Sequence, residues 1–261
     1  MRERVYPPVI RTALGLFRAL DLQFTIEGVE HIPATGGAVL ASNHVSYFDF
    51  MFVGLAAHQR DRLVRFMAKQ SVFTNPVSGP LMRGMHHIPV DRSAGASAYS
   101  AAVRALRDGE LVGVFPESTI SRSFVPRTFK AGAARMALEA GAPLLPVVVW
   151  GGQRLWTTGR RPQLRRHVPV TIRVGPAIDP PAVGSDDAPA ARVATAATAT
   201  LRSVITEMTE AVQRAYPAPD GEAQAWWQPA YLGGTAPTPE EAEAAALASI
   251  AGRGRRRTGS A

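Results

Sequence analysis

Residues 38–49 read Ala-Val-Leu-Ala-Ser-Asn-His-Val-Ser-Tyr-Phe-Asp, and their pattern is the clearest indication of the fold. Ala38 to Ala41 is a short apolar run, typical of a buried strand, that follows a turn signal at Gly36-Gly37. Ser42 and Asn43 are residues that favour a helix N-cap. Apolar residues then recur at helical spacing, at Phe48, Met51, Phe52 and Leu55. The stretch therefore predicts a strand followed directly by a helix.

The same alternation of strand and helix patterns continues along the chain. Strand-like apolar runs occur at residues 24–28, 63–67, 88–90, 111–115, 144–150 and 168–174. Helical spacing occurs at residues 9–20, 97–107, 129–140 and 192–216. Repeated alternation of this kind predicts an α/β layered domain.

Changes in composition divide the chain into three parts. Residues 1–24 contain an amphipathic basic helix, and residues 25–216 form the predicted α/β domain with its C-terminal helix. A proline-rich linker at residues 180–189 precedes that last helix. Residues 217–261 are rich in Ala, Glu, Pro and Gly, which predicts a flexible tail.

The overall composition excludes several classes of protein. The chain has 261 residues, 46% of them hydrophobic and 19% charged, and no cysteine. This composition argues against intrinsic disorder, a disulfide scaffold and a thiolate metal site. No apolar run reaches the roughly 18–20 residues of a spanning helix. Charged residues interrupt the N-terminus where a signal peptide would have its apolar core, so we expect the chain to stay in the cytosol.

The formal net charge of +8 is unevenly distributed. Four arginines near the C-terminus supply half of it, namely Arg253, Arg255, Arg256 and Arg257. Such a short basic block is typical of a solvated tail, and it also suits anionic lipid or nucleic acid. Lysine is rare, since Lys69 and Lys130 are the two lysines among 29 basic residues.

The candidate chemistry begins with His44 and Asp49, which lie five residues apart at the predicted strand-to-helix junction. A histidine in such a loop can fold back onto a carboxylate in the first helical turn. The carboxylate would keep one ring nitrogen protonated and leave the other as a base. Taken alone, the pair is also typical of a structural hydrogen bond.

Four segments in order resemble the motifs of the glycerolipid acyltransferases of the lysophosphatidic acid acyltransferase type. They are Asn43-His44-Val45-Ser46-Tyr47-Phe48-Asp49, Ile88-Pro89-Val90-Asp91-Arg92, Phe115-Pro116-Glu117-Ser118-Thr119-Ile120-Ser121 and Ala142-Pro143-Leu144-Leu145-Pro146-Val147-Val148. The resemblance covers about residues 25–175. Ser118 replaces the usual glycine of the third motif and Ile120 its usual arginine, whose charge Arg122 is placed to supply.

The resemblance implies a central mixed β-sheet flanked by helices, with an N-terminal amphipathic helix. It implies transfer of an acyl group from acyl-CoA or acyl-carrier protein to lysophosphatidic acid, giving phosphatidic acid in phospholipid biosynthesis. His44 would be the general base and Asp49 would orient it, with helix-start amides near His44 as oxyanion donors. No metal and no cofactor beyond the acyl donor is expected. The residues expected to bind substrate are Asn43, Lys69, Arg92, Glu117, Ser118 and Arg122, with Arg92 as the main phosphate ligand.

A lysophospholipid acceptor implies contact with a membrane. We expect a peripheral or monotopic protein at the cytoplasmic face of the cell membrane, bound to anionic lipid and not to nucleic acid. The helix at residues 9–20 is the leading anchor candidate, and packing on the domain is the alternative. Trp226, Trp227 and Tyr231 suit either an interfacial position or packing on the domain.

Other functions also remain compatible with the residues. The same family chemistry could act on glycerol 3-phosphate, a lysophosphatidylinositol-type lipid or a glycolipid. Ser46 and Ser118 are conceivable nucleophiles. A metal hydrolase would use His44, Asp49, His86 and His87. A basic membrane-binding or nucleic-acid-binding module would need no catalytic residue at all.

Overall fold

The computed structural model describes residues 3–91, 95–179, 190–217, 225–245 and 248. The strands are β1 Gln23–Glu27, β2 Ala38–Ser42, β3 Val64–Lys69, β4 Ile88–Val90, β5 Leu111–Val114, β6 Leu144–Trp150 and β7 Pro169–Val174. The helices are α1 Tyr6–Ala19, α2 Asp49–His58, α3 Gln70–Thr74, α4 Ser78–Gly84, α5 Gly95–Arg107, α6 Gly132–Ala140 and α7 Ala190–Ala215.

The described strands form one mixed sheet in the order β1-β7-β6-β2-β5-β3-β4. Neighbouring strands are parallel except β6 and β7, which are antiparallel. Strands β1 and β7 therefore run against the other five. This architecture confirms the expected mixed sheet flanked by helices.

The central strands are buried on both faces. Every residue of β2 and of β6 is buried, as expected for parallel strands covered by helices on each side. Helices α1 and α2 cover one face through residues such as Phe17 and Phe52. Helices α5, α6 and α7 cover the other face through residues such as Leu106, Met136 and Leu201. The result is a three-layer domain.

The N-terminal helix α1 is part of this domain. The ring centroid of Phe17 lies 5.3 Å from that of Phe24 and 5.4 Å from that of Phe52. Phe17 and Tyr6 are both buried. The Tyr6 hydroxyl donates to the carbonyl of Val64 at 2.6 Å. The opposite face of α1 is exposed and carries arginines. Helix α1 thus packs on the domain by one face, and its role as a membrane anchor stays a prediction.

The chain beyond residue 217 is not a loose tail throughout. Trp227 is buried, its ring lies 5.4 Å from that of Tyr216, and the guanidinium of Arg154 sits over it at 4.7 Å. Residues 225–245 therefore correct the predicted flexible tail, because their aromatic and apolar side chains pack against the domain. The basic block at residues 253–257 lies outside the described residues.

None of the helices in the described part of the chain combines the length and the apolar character of a membrane span.

The loops that follow the five parallel strands meet at one edge of the sheet. Residues 43–48 follow β2, residues 115–131 follow β5, and residues 151–168 follow β6. Carboxyl ends of parallel strands are where ligand sites open in α/β folds. The sequence placed the start of α2 next to Ser42 and Asn43, and this is wrong because the helix begins at Asp49. The intervening loop carries His44 to the strand edge.

Candidate active site

The side chains of His44 and Asp49 are in contact at this edge. Nδ1 of His44 lies 2.9 Å from Oδ2 of Asp49, the buried first residue of α2. The same oxygen accepts the backbone amides of Val45 and Ser46 at 2.7 and 2.8 Å. The loop is thus wrapped around one carboxylate oxygen. The side-chain contact expected from the five-residue spacing is present.

This contact defines the state of the imidazole. Because a carboxylate only accepts hydrogen bonds, Nδ1 of His44 carries the proton and Nε2 is the basic nitrogen. The ring of Phe115 stacks on that of His44, with centroids 4.1 Å apart. Burial raises the pKa of Asp49, while the three donors at Oδ2 oppose that effect. The His44 ring is thereby held in one orientation on the wall of a cavity.

Glu117 supports the backbone of His44. Its Oε1 accepts the amide of His44 at 2.9 Å, and its Oε2 accepts the amide of Arg127 at 3.1 Å. Burial raises the pKa of Glu117 to about 7. The carbonyl of His44 also accepts the amide of Ser121 at 2.8 Å. Glu117 was expected to bind the acceptor, but its two oxygens are occupied by backbone amides that join the two loops.

The backbone amides of residues 44–48, in the loop before α2, all have hydrogen-bond acceptors within the protein. The amide of His44 donates to Glu117, those of Val45 and Ser46 donate to Asp49, and the next two also have acceptors. The amide of residue 47 donates to the carbonyl of residue 156, and that of residue 48 donates to a serine Oγ. These five loop amides are thus hydrogen-bonded within the protein. Helix α2 itself begins at Asp49, so the helix-start oxyanion donors stay a prediction.

Asn43 and Ser46 are structural in this arrangement. Asn43 is buried, and its amide group donates to the carbonyl of Val149 at 3.0 Å and accepts the amide of Val149 at 2.8 Å. Ser46 is fully buried, and its Oγ donates to the carbonyl of Trp156 at 2.8 Å. Asn43, expected to bind substrate, instead connects the loop of residues 43–48 to β6. Ser46 is buried away from the cavity and is not placed to act as a nucleophile.

A large apolar cavity of about 1300 Å³ opens beside His44. Its walls are residues of α1, α2, α4 and α5, together with parts of β3 and α6. Lys69, Ser118 and Lys130 line it along with His44. The sequence indicated Lys130 by its rarity and by its family-like place in Phe129-Lys130-Ala131-Gly132. It missed the stacking of Phe115 and the contribution of α1 to the wall.

The remaining candidate residues have different positions. Arg92, expected to bind phosphate, lies outside the described residues, although Val90 two residues earlier lines the cavity. Arg122 is half-buried in the loop after β5 and does not line the cavity. Ser118 has a backbone φ of 61°, in the left-handed region that favours glycine. That conformation explains why its motif usually has glycine at this position.

The residues named for a metal hydrolase include His87, which lines the same cavity. Its Nδ1 accepts the amide of Phe66 at 3.1 Å, and burial lowers its pKa to about 4. Across the described residues, no three His, Asp or Glu side chains are grouped so that they would hold a metal ion.

Comparisons with known proteins agree with this geometry. A family model described as Acyltransferase matches residues 23–150. The 1-acyl-sn-glycerol-3-phosphate acyltransferase of Bacillus subtilis is 34% identical over 154 residues, which are 57% of this chain and 74% of that protein. An enzyme of the same name from Limnanthes douglasii is 34% identical over 158 residues, 59% of this chain and 54% of the plant protein. This chain therefore spans about half the length of the plant relative.

A solved structure has the same fold. The 1-acyl-sn-glycerophosphate (LPA) acyltransferase PlsC from Thermotoga maritima superposes with a TM-score of 0.65 at 21% identity, covering 82% of this chain and 81% of that one. The four sequence motifs and the His44–Asp49 contact all lie within residues 23–150, the region that the family model matches. The chain belongs to the acyltransferase family that includes the 1-acyl-sn-glycerol-3-phosphate acyltransferases, and it is an O-acyltransferase.

Proposed function

We propose that the protein transfers a fatty acyl group from a thioester donor to the free hydroxyl of lysophosphatidic acid, giving phosphatidic acid. One observation carries the proposal: the His44–Asp49 pair opens onto an apolar cavity of about 1300 Å³ that Lys69 and Lys130 also line. The names of the relatives support this acceptor. The donor would be acyl-CoA or acyl-carrier protein.

In the proposed reaction, Nε2 of His44 takes the proton of the acceptor hydroxyl as its oxygen attacks the thioester carbonyl carbon. A tetrahedral intermediate forms, and the negatively charged Asp49 stabilises the imidazolium. Collapse of the intermediate breaks the carbon–sulfur bond. The departing thiolate takes the proton from His44, so the products are the ester and a free thiol. The protein forms no covalent intermediate in this scheme.

The cations of the cavity would bind the negative charge of the substrates. Lys69 ends β3 and Lys130 precedes α6, and both side chains are exposed. A phosphomonoester or an oxyanion beside His44 would lie within reach of such side chains. We keep Arg92 as the proposed main phosphate ligand, because it follows the end of β4 in the second motif.

The apolar walls suit the acyl chain. Helix α1 runs along the cavity from Tyr6, beside Val64 at the start of β3, to Phe17, beside α2. A chain lying along α1 would be removed from water over several methylene groups, each contributing about 0.8 kcal/mol. Because both lipid substrate and product reside in bilayers, we also propose that the protein works at a membrane surface.

The test is incubation of the purified chain with labelled acyl-CoA and lysophosphatidic acid. We expect labelled phosphatidic acid from the wild type, none above background from His44→Ala, and full activity from His86→Asn, an exposed histidine outside the cavity. Glycerol 3-phosphate, lysophosphatidylinositol and a glycolipid would be tested in parallel. Absence of acyl transfer to every acceptor would disprove the proposal, and preference for another acceptor would correct its substrate.

A further inference from the structure

The loop after β6 carries a concentrated positive charge together with exposed apolar side chains. We define the arginine loop as residues 156–167, Trp-Thr-Thr-Gly-Arg-Arg-Pro-Gln-Leu-Arg-Arg-His, which contain no acidic residue. All four of its arginines are exposed. Trp156 is 36% and Leu164 is 61% exposed, so two large apolar side chains stand among these arginines.

One end of the arginine loop is attached to the loop of residues 43–48, which carries His44. The carbonyl of Trp156 accepts the amide of Tyr47 at 3.1 Å and the hydroxyl of Ser46 at 2.8 Å. Thr157 Oγ1 donates to the carbonyl of Val45 at 2.7 Å. Val45 is the residue next to His44, so the arginine loop and the catalytic base lie at the same edge of the sheet.

Aromatic side chains continue this surface to the cavity. The ring of Tyr47 lies 4.6 Å from that of Trp156. Tyr47 and Phe50 are 43% and 39% exposed and also line the cavity. Through Trp156, the arginine loop is therefore in contact with exposed aromatic residues that line the cavity.

The other end of the arginine loop is attached to α1. The amide of His167 donates to the carbonyl of Leu20 at 3.0 Å, and its Nδ1 lies 2.9 Å from Oδ2 of Asp21. Along the loop, the guanidinium of Arg160 lies over the ring of Trp226 at 3.8 Å. Arg11 and Arg18, seven residues apart on α1, are exposed as well. The arginine loop is thus attached to the domain at both ends.

Among anionic partners, this composition fits a bilayer best. Arginines bind lipid phosphates, while a neighbouring tryptophan and leucine enter the interfacial region. An acidic carrier protein or a nucleic acid would match the charge but would not account for Leu164 and Trp156 projecting among the arginines. We propose that the arginine loop, with Tyr47 and Phe50, docks on anionic phospholipid and places the cavity mouth against the membrane.

The docking proposal rests on the proposed function in one respect only: the docking would let a lipid reach His44 from the bilayer. Its binding is measured separately, by sedimentation of the full chain with vesicles. Phosphatidylcholine vesicles would be compared with vesicles that also contain phosphatidylglycerol. We expect tight binding to the anionic vesicles alone, weakened by salt.

The decisive variant is Arg161→Glu/Arg166→Glu. Since an arginine near an anionic surface strengthens binding roughly fivefold, we expect a loss of about 30-fold or more. The matched control is Arg104→Glu/Arg192→Glu, which makes the same charge change on the exposed surfaces of α5 and α7. Binding of the control should stay close to that of the wild type. An equal loss in both variants, or no loss in the first, would overturn the proposal.

Three further measurements separate the alternatives. Trp156→Ala should also weaken vesicle binding, and an unchanged affinity would contradict the interfacial role of that ring. Loop variants that bind vesicles normally but lose acyl-carrier protein or DNA would assign the loop to that partner instead. His44→Ala should bind vesicles like the wild type. Vesicle binding without acyl transfer by the wild type would leave the docking intact and refute the proposed function alone.

Discussion

The amide of His44 donates to Oε1 of Glu117 at 2.9 Å, although the two residues are 73 positions apart. Glu117 also holds the amide of Arg127, so one buried carboxyl group joins the loop after β2 to the loop after β5. His44, the proposed base, is therefore positioned from two sides. Asp49 orients its ring, and Glu117 supports its backbone.

Glu117 should make the stability of the protein depend on pH. Burial raises the pKa of Glu117 from 4.5 to about 7, so the native state binds this proton more tightly than the unfolded chain. This contribution is complete below pH 4.5 and is lost as the pH rises through about 7, at a cost of about 3 kcal/mol.

The variant Glu117→Gln cannot take up this proton, so its free energy of unfolding should lose that pH dependence. Urea unfolding between pH 4 and pH 8 would measure the difference from the wild type. The control is Glu30→Gln, which changes an exposed carboxylate. Parallel pH profiles of wild type and Glu117→Gln would show that the carboxyl group does not titrate in this range.

Replacing Asp49 should reduce turnover without unfolding the protein. In Asp49→Asn the side-chain oxygen can still accept the amides of Val45 and Ser46, but the negative charge beside His44 is lost. We expect kcat to fall roughly 1000-fold or more, because the imidazole loses both its tautomer and its counter-charge.

Steady-state kinetics with acyl-CoA and lysophosphatidic acid would measure this loss, and circular dichroism would check folding. Asp61→Asn is the matched control, since Asp61 is exposed and does not line the cavity. Near-normal kcat in a folded Asp49→Asn protein would remove Asp49 from the mechanism.

Ser118→Gly should stabilise the protein. Ser118 has a φ of 61°, and the left-handed conformation costs a residue with a Cβ roughly 1–2 kcal/mol. Part of the gain is offset by the greater freedom of glycine in the unfolded chain, so we expect an increase of about 1 kcal/mol. Thermal unfolding would measure it. Ser118→Ala keeps the Cβ, and an equal gain in that variant would show that backbone strain is not the cause.

A larger side chain at Gly54 should shorten the acyl chain that is accepted. Gly54 lies in α2, lines the cavity, and a Cβ there would be 3.9 Å from the ring of Phe66. In Gly54→Leu we expect kcat/KM to fall at least about tenfold for a long-chain acyl-CoA and little for a short one.

Gly15→Leu makes the same change on the exposed face of α1, where a Cβ would meet nothing within 4 Å. It serves as the control for the loss of a helical glycine. Equal losses with long-chain and short-chain donors in Gly54→Leu would mean that the acyl group does not lie along this cavity.

Local sequence patterns were sufficient to predict the main elements and the central pair of the site. Strand β6 spans Leu144–Trp150 as its continuous apolar run predicts, and α7 lies within two residues of its predicted bounds. His44 and Asp49 meet because they are only five residues apart, at the start of one helix. Interactions of this range depend on local backbone geometry, which the sequence specifies directly.

The contacts between the loops of the site depend on the order of the strands in the sheet. The order β6-β2-β5 brings together segments far apart in the chain, and this places Val149 against Asn43 and Glu117 against His44. It also made α1 a wall of the cavity. The sequence alone was enough to predict His44 and Asp49 as the residues for the proposed chemistry. Their partners depend on which strands are neighbours in the sheet, and no local pattern encodes that order.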